Sequence, residues 1–127
     1  MGDRSNIFFR NGKGGIGVYA HWAGLSMADA AMRVIQSKAF KARVGDANYA
    51  TRIGVQIVLD ALGAEVGSDT GFGLWTPLSG ADDNEHNYVV VDVMDGSVFV
   101  AKDWRKPKKT ERVAKPTKAE LRKRMCG

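Results

Sequence analysis

The chain has 127 residues, of which 44% are hydrophobic and 26% are charged, and its net charge is +5. This balance suits one folded domain with a real core, and it excludes both wholesale disorder and a pair of full-sized domains. A cytoplasmic protein is expected, because no apolar stretch could cross a membrane, the opening residues lack the apolar run of a secretory signal, and Cys126 is the lone cysteine.

The chain opens with a predicted β-hairpin. Residues 5–10 and 16–22 are β-prone, and the glycine-rich residues 11–15 between them supply a tight reversal. These glycines also fit the letters G-x-G-x-x-G of a dinucleotide-binding loop. That loop opens a helix, however, whereas these glycines lead into strand-like residues. We therefore interpret them as a hairpin turn, with a phosphate-binding nest as the alternative.

Two helices are predicted after the hairpin. Ser26-Met27-Ala28-Asp29 has the pattern of a capping box, and an apolar stripe at helical spacing follows it as far as Ala39. Asp46 is the expected N-cap of the second helix, and Gly63 is the residue expected to end it. Each helix has one apolar stripe, which favours packing of that stripe against one face of a sheet.

Three further strands are predicted. Residues 71–76 are strand-like as far as Pro77, and the valine-rich runs 88–93 and 97–100 flank Asp95-Gly96, the strongest hairpin signal in the chain. The order ββααβββ predicts an α+β fold of two layers, an antiparallel sheet with both helices on one face. We assign residues 1–103 to this domain.

Charge and composition both change near Trp104. Residues 102–127 carry eleven Lys and Arg against three acids, a net charge of +8, so the rest of the chain is at −3. Two of the three prolines lie here and large apolar residues are scarce, which predicts that residues 104–127 form a basic, partly flexible tail. Thr117-Lys118-Ala119-Glu120 has the pattern of a capping box and predicts a short helix that runs to about Met125.

Two segments that combine glycine with aromatic residues supply candidate binding residues. His21 and Trp22 fall where the second strand meets the first helix, a position at which an anion is favoured and an indole could stack on a flat ligand. Gly71 and Phe72 lie in the second segment, where glycine lets a strand or a ligand come close to the backbone. Core packing is the alternative for both segments.

Catalytic and metal-binding patterns are poor. The chain has two histidines, no zinc-ligand spacing and no G-x-S-x-G sequence. The acidic cluster of Asp82, Asp83, Glu85 and His86 suits a solvated loop at least as well as a weak cation site. We therefore predict a protein that is not an enzyme and that needs neither a metal nor a cofactor.

Four short motifs occur in an order that is typical of one group of proteins. They are G-D-R-x-N at residues 2–6, Y-x-H-W-x-G at 19–24, Y-x-x-R-I at 49–53 and T-G-F-G at 70–73. The series resembles a group of small uncharacterised proteins of bacteria and their phages over residues 2–95, and it leaves the tail out. The resemblance implies a meeting point for seven residues: Asp3, Arg4, Asn6, His21, Trp22, Arg52 and Gly71.

These patterns lead to two main hypotheses. The first is a non-enzymatic phage or mobile-element protein, located in the host cytoplasm, that binds an anionic, nucleotide-like ligand and sequesters a host signal. Its site comprises Arg4, His21, Trp22, Arg52, Gly71 and Phe72, with the arginines as phosphate donors and the indole as a stacking face. The alternative is a nucleic-acid-binding protein that uses the tail residues Arg105, Lys106, Lys108, Lys109, Arg112, Arg122, Lys123 and Arg124. Inhibition of a host protein is a third option, and homo-oligomerisation stays open.

Overall fold

The computed structural model describes residues 2–67, 71–81 and 84–127 and contains one five-stranded sheet. The strands are β1 (Ser5–Asn11), β2 (Gly14–Ala20), β3 (Phe72–Trp75), β4 (Tyr88–Asp92) and β5 (Val98–Ala101). The helices are α1 (Ser26–Gln36), α2 (Lys38–Arg43), α3 (Ala47–Ala61) and α4 (Lys118–Cys126), and a short 3-10 helix spans Lys109–Glu111. The predicted α+β class is confirmed.

The sheet is mixed rather than antiparallel throughout. Its strand order is β3-β2-β1-β4-β5, and β1 pairs with β4 in parallel, with Ile7 opposite Val89. The other three pairings are antiparallel. After β3 pairs with β2, the chain returns to the far side of β1 and enters β4 from the end at which β1 begins. Hairpin signals specify only neighbours in sequence, so this long-range parallel pairing was not visible in them.

Both predicted hairpins are confirmed. The glycine-rich segment forms the β1–β2 turn, in which Gly12 has φ 59°, a conformation that costs glycine little. The segment therefore links two strands and does not open a helix, which argues against a dinucleotide loop. The second hairpin joins β4 to β5 through Asp95-Gly96, and Ser97 Oγ donates to Asp95 Oδ1 at 2.6 Å. This bond holds the pKa of the Asp95 carboxyl below its usual value.

Side chains that alternate along the strands build a core on each face of the sheet. On one face Ile7, Phe9 and Val91 pack against the helices, and all three are fully buried. On the other face Phe8 stacks on Trp75, with ring centroids 5.1 Å apart, and meets the edge of Trp104. Ala81 and Trp104 pack into this second, smaller aromatic core, which contains no helical residue in the part of the chain that the structure describes.

The helical layer differs from the two predicted helices. The first apolar stripe breaks at Ser37, whose Oγ accepts from the Phe40 N–H at 3.2 Å and begins α2. The capping box predicted at Ser26 is wrong: Leu25 is the N-cap of α1, and the Asp29 carboxylate binds Arg122 instead. A tertiary ion pair therefore overrides the local pattern. Among the described residues, the helices are too short or too polar to span a bilayer.

The basic segment (residues 102–127) is folded against the domain. Arg112 forms a β-bridge with Phe99 beside the edge strand β5, and α4 packs against α1, β4 and β5. Val113, Leu121 and Met125 are at most 4% exposed. The segment was expected to be partly flexible because its average composition is polar. These three buried side chains and the ion pair of Arg122 with Asp29 anchor it. The short helix predicted from Thr117 is confirmed, with Thr117 Oγ1 accepting from the Glu120 N–H at 3.1 Å.

Candidate functional sites

One end of the sheet gathers most of the motif residues. There β1 and β4 begin, β2 ends and β3 begins. Asp3 links the parts: its carbonyl accepts from the Gly24 N–H at 2.8 Å, and its Oδ1 lies 2.6 Å from His86 Nε2. The Asn84 side-chain amide donates to the His86 carbonyl. This network fixes the chain before β1 to the segments that follow β2 and precede β4.

Arg4 is part of the same framework. Its Nε donates to Glu85 Oε1 at 2.9 Å, and the Glu85 N–H donates to the Arg4 carbonyl at 3.0 Å. The guanidinium hydrogen bond holds the pKa of the exposed Glu85 carboxyl below its usual value. The predicted phosphate donor is therefore already bound to a carboxylate, and its visible role is to join β1 to the segment before β4.

His21, Trp22, Gly71 and Phe72 lie close together where β2 ends and β3 begins. The His21 N–H donates to the Gly71 carbonyl at 2.7 Å, and Tyr19 Oη lies 2.7 Å from His21 Nδ1. The Trp22 indole meets the His21 ring edge-on with centroids 4.6 Å apart, and Trp22 is 67% exposed. Trp22 and Phe72 line a recess of about 260 Å³, which we call the Trp22 recess; its other lining residues are Ala23, Ser26, Ala61, Leu62 and Gly71.

Arg52 lies apart from the Trp22 recess. Nine residues of α3 separate it from Ala61, which touches the recess, and this spacing corresponds to about 14 Å along the helix axis. Arg52 instead lines an open groove of about 1100 Å³ between α3, the β1–β2 hairpin and β3, which we call the α3 groove. Its Nη1 donates to Gln56 Oε1 at 2.7 Å. The structure therefore does not bring Arg52 to the meeting point that the resemblance implies, and the role of Arg52 in ligand binding stays a prediction.

The basic segment presents its charge on an ordered surface. Nine of its cations are exposed: Lys102, Arg105, Lys106, Lys108, Lys109, Arg112, Lys115, Lys118 and Lys123. Its acids are engaged by the segment itself. Glu111 accepts from the backbone N–H groups of Lys102 and Lys108 at 3.1 and 2.8 Å, and Asp103 accepts from that of Arg105 at 2.9 Å. The carboxylates thus hold the loop in shape, while the cations face outward.

Two of the predicted nucleic-acid contacts are ion-paired within the protein. Arg122 Nη2 donates to both carboxylate oxygens of Asp29, at 3.0 and 3.1 Å, and fastens α4 to α1. Arg124 Nε donates to Glu120 Oε1 at 2.9 Å, which lowers the pKa of that carboxyl. Sequence reasoning missed Asp29 as an anchor of the tail. No local signal pointed to this role, because Arg33, four residues further along α1, already offers Asp29 a basic partner at helical spacing.

The acidic cluster provides no cation site within the part of the chain that is described. Asp82 and Asp83 lie outside the described residues. Among the others, no three His, Cys, Asp or Glu side chains are placed to hold a metal ion. Glu85 and His86 each have another partner, Arg4 and Asp3 respectively.

Comparisons with protein families, curated proteins and solved structures find no match for this chain. Two surfaces of the structure are candidate binding sites, the basic segment and the Trp22 recess.

Proposed function

We propose that this protein binds nucleic acid through the basic segment. The observation that supports this most is that nine exposed cations lie on a chain segment anchored by buried side chains. A surface that is ordered before binding loses less conformational entropy when it meets a polyanion than a flexible arm does. The rest of the chain has a charge of −3, so a polyanion is attracted to this segment and not to the whole molecule.

In this proposal the basic segment contacts the phosphate backbone of the nucleic acid and not its bases. Trp104 is the only aromatic residue in the segment; it is 5% exposed, and the Arg105 guanidinium lies 4.2 Å above its ring. With its indole buried, the segment offers no face on which a base could stack. Binding is then governed by the number of phosphates neutralised, and it tolerates differences in sequence.

Removing four exposed lysines tests this proposal. We expect the variant with Lys106, Lys108, Lys109 and Lys115 changed to Gln to bind duplex DNA at least about tenfold more weakly, with the salt slope of log K reduced by up to about 3.6. Binding is measured by fluorescence anisotropy over a range of salt concentrations. These side chains are exposed, so the thermal midpoint should stay within a few degrees of the parent's.

The matched control removes four cations from the rest of the chain: Lys13, Arg33, Lys38 and Lys41, all exposed. The control lowers the net charge equally, so it should leave DNA binding within about threefold of the parent if the basic segment is the binding surface. Equal loss in both variants would assign the affinity to net charge alone. A parent protein that ignores DNA and RNA at low salt would rule the proposal out.

A second candidate function is capture of a nucleotide-like ligand at the Trp22 recess, which in a phage setting would sequester a host signal. The observation that favours it is an indole 67% exposed beside a preformed recess. A flat base could stack on Trp22, with Ser26 at the wall of the recess. Arg52 takes no part in this version, because it lies in the α3 groove.

Tryptophan fluorescence tests the second candidate. Trp75 and Trp104 are each 5% exposed, so quenching by added ATP or GMP would report on Trp22. We expect saturable quenching of tryptophan fluorescence in the parent protein. Trp22→Phe should reduce the amplitude of this quenching by about tenfold or more, while Arg52→Ala leaves the amplitude unchanged. Leu78, which is fully exposed and lies outside the recess, supplies the control Leu78→Ala. Absence of saturable quenching up to millimolar nucleotide would reject these nucleotides as ligands.

A further inference from the structure

Strand β3 forms one edge of the sheet. β3 is the last strand of the sheet, beside β2, and its outer edge has no strand partner among the described residues. Leu74 is 60% exposed and Phe72 is 37% exposed. Natural edge strands are usually protected by being very short or by lysine, proline or a bulge; β3 is short, with four residues, but Phe72–Trp75 contains no lysine, proline or bulge. An edge of this kind is suited to pairing with another strand.

The α3 groove lies directly beside that edge. Ile16, Val55, Leu59 and Leu74 line it together with Val66, which is fully exposed. The exposed apolar surface is therefore continuous from the helix to the edge strand. On soluble proteins, contiguous apolar surface of this kind usually marks an interface.

The polar residues of the groove identify its occupant. Arg52, Gln56 and Asp60 are exposed, line the groove, and follow one another at four-residue spacing on one face of α3. The row thus reads positive, neutral, negative. If a second copy of the row is turned around a two-fold axis through Gln56, Arg52 of each copy faces Asp60 of the other. A surface that complements itself in this way is what an isologous dimer requires.

We infer that the β3 edge and the α3 groove form the interface of a homodimer. The two β3 strands pair antiparallel and join the sheets into one of ten strands. Because α3 packs on both β2 and β1, the axes of the two α3 helices lie about 19 Å apart, four strand spacings. Leu74 and Val66 of both copies fill that gap, and the Arg52–Asp60 pairs close it on the solvent side.

The dimer is independent of the proposed function. Trp104 of the basic segment contacts Trp75 of β3, but the chain that follows it reaches β5 at Arg112, at the edge of the sheet opposite β3. Across ten strands the two β5 strands stand about 43 Å apart, so interface variants leave the cations untouched. Loss of DNA binding and loss of the dimer can therefore be observed separately.

Charge reversal on full-length, nuclease-treated protein gives the sharpest test. Arg52→Asp would place two carboxylates together at each of the two symmetric contacts, and Asp60→Arg would place two guanidinium groups together. We expect each variant alone to dimerise at least about tenfold more weakly than the parent at about 0.1 M salt. An equimolar mixture of the two variants should restore a dimer, because each heterologous contact then has opposite charges. Sedimentation velocity over a range of concentrations measures all three samples.

A second pair of variants tests the edge strand itself. Leu74→Lys should abolish the dimer, because it places an uncompensated charge on the pairing strand, and Leu78→Lys, outside the groove, should leave it intact. Circular dichroism establishes that both variants are folded. A parent chain that stays monomeric to millimolar concentration overturns the inference. So does a dimer that survives Leu74→Lys, or one that the mixture of charge variants fails to restore.

Discussion

A chain that ends after Trp104 should lose cooperative folding near room temperature, although the deleted residues are mostly charged. The deletion removes Val113, Leu121 and Met125, which are at most 4% exposed and pack with the main core. Truncating one buried Leu or Met to Ala costs about 2–5 kcal/mol, and whole domains are stable by about 5–15 kcal/mol. The deletion also leaves Asp29 without the two cations that lie against it.

Thermal and urea unfolding followed by circular dichroism measure this effect. Leu121→Ala alone should cost about 3 kcal/mol, because the side chain is fully buried in contact with the core. The adjacent Lys123 is exposed, so Lys123→Ala should stay within about 0.5 kcal/mol of the parent. A truncated chain that unfolds at the same temperature as the full chain would contradict the packing of α4. The expected instability is also why lysine substitutions, and not deletion, are used to test nucleic-acid binding.

The elements that the sequence predicts well are those encoded by neighbouring residues. Alternating apolar residues around Gly12 and Gly96 predict the two hairpins, and the Thr117 box predicts α4. The parallel pairing of β1 with β4 could not be predicted in this way, because its partners, such as Ile7 and Val89, lie far apart in the chain and share no local pattern. Asp29 was predicted wrongly for the same reason. The local pattern suggests a helix cap, but the partner that Asp29 binds, Arg122, lies 93 positions away in the chain.

The residues of the candidate site also differ in how well the sequence predicts their positions. His21, Trp22 and Gly71 were predicted from short glycine-aromatic segments, and the pairing of β2 with β3 brings them together. Arg52 was grouped with them because its motif occurs in the same series, but a motif contains no information on its position along α3. The exposed cations of the basic segment were predictable from composition. That these cations lie on a folded segment could not be predicted, since the folding depends on how Val113 and Leu121 pack in the core.

Replacing Gly17 with Ala should be among the most damaging single-methyl changes in the protein. A Cβ at this position would overlap the Trp75 indole, which lies flat against the backbone of β2. The indole has little freedom to move: it stacks on Phe8 at 5.1 Å, contacts Trp104 at 4.9 Å, and its Nε1 donates to Asn6 Oδ1 at 2.9 Å. Overpacking a fixed core costs about 1–3 kcal/mol, and we expect the upper end here.

A double-mutant cycle in urea separates overpacking from the strand preference of alanine. The neighbouring strand supplies the control Gly73→Ala, where an added Cβ meets no atom within 4 Å, and its cost should stay below about 1 kcal/mol. In a Trp75→Leu background, the smaller side chain frees the space beside Gly17, so Gly17→Ala should cost less than about 1 kcal/mol. If Gly17→Ala were equally costly in both backgrounds, the indole would not be the cause. Non-additivity of about 2 kcal/mol would instead establish that Gly17 is glycine because the Trp75 indole occupies the space that a Cβ would need.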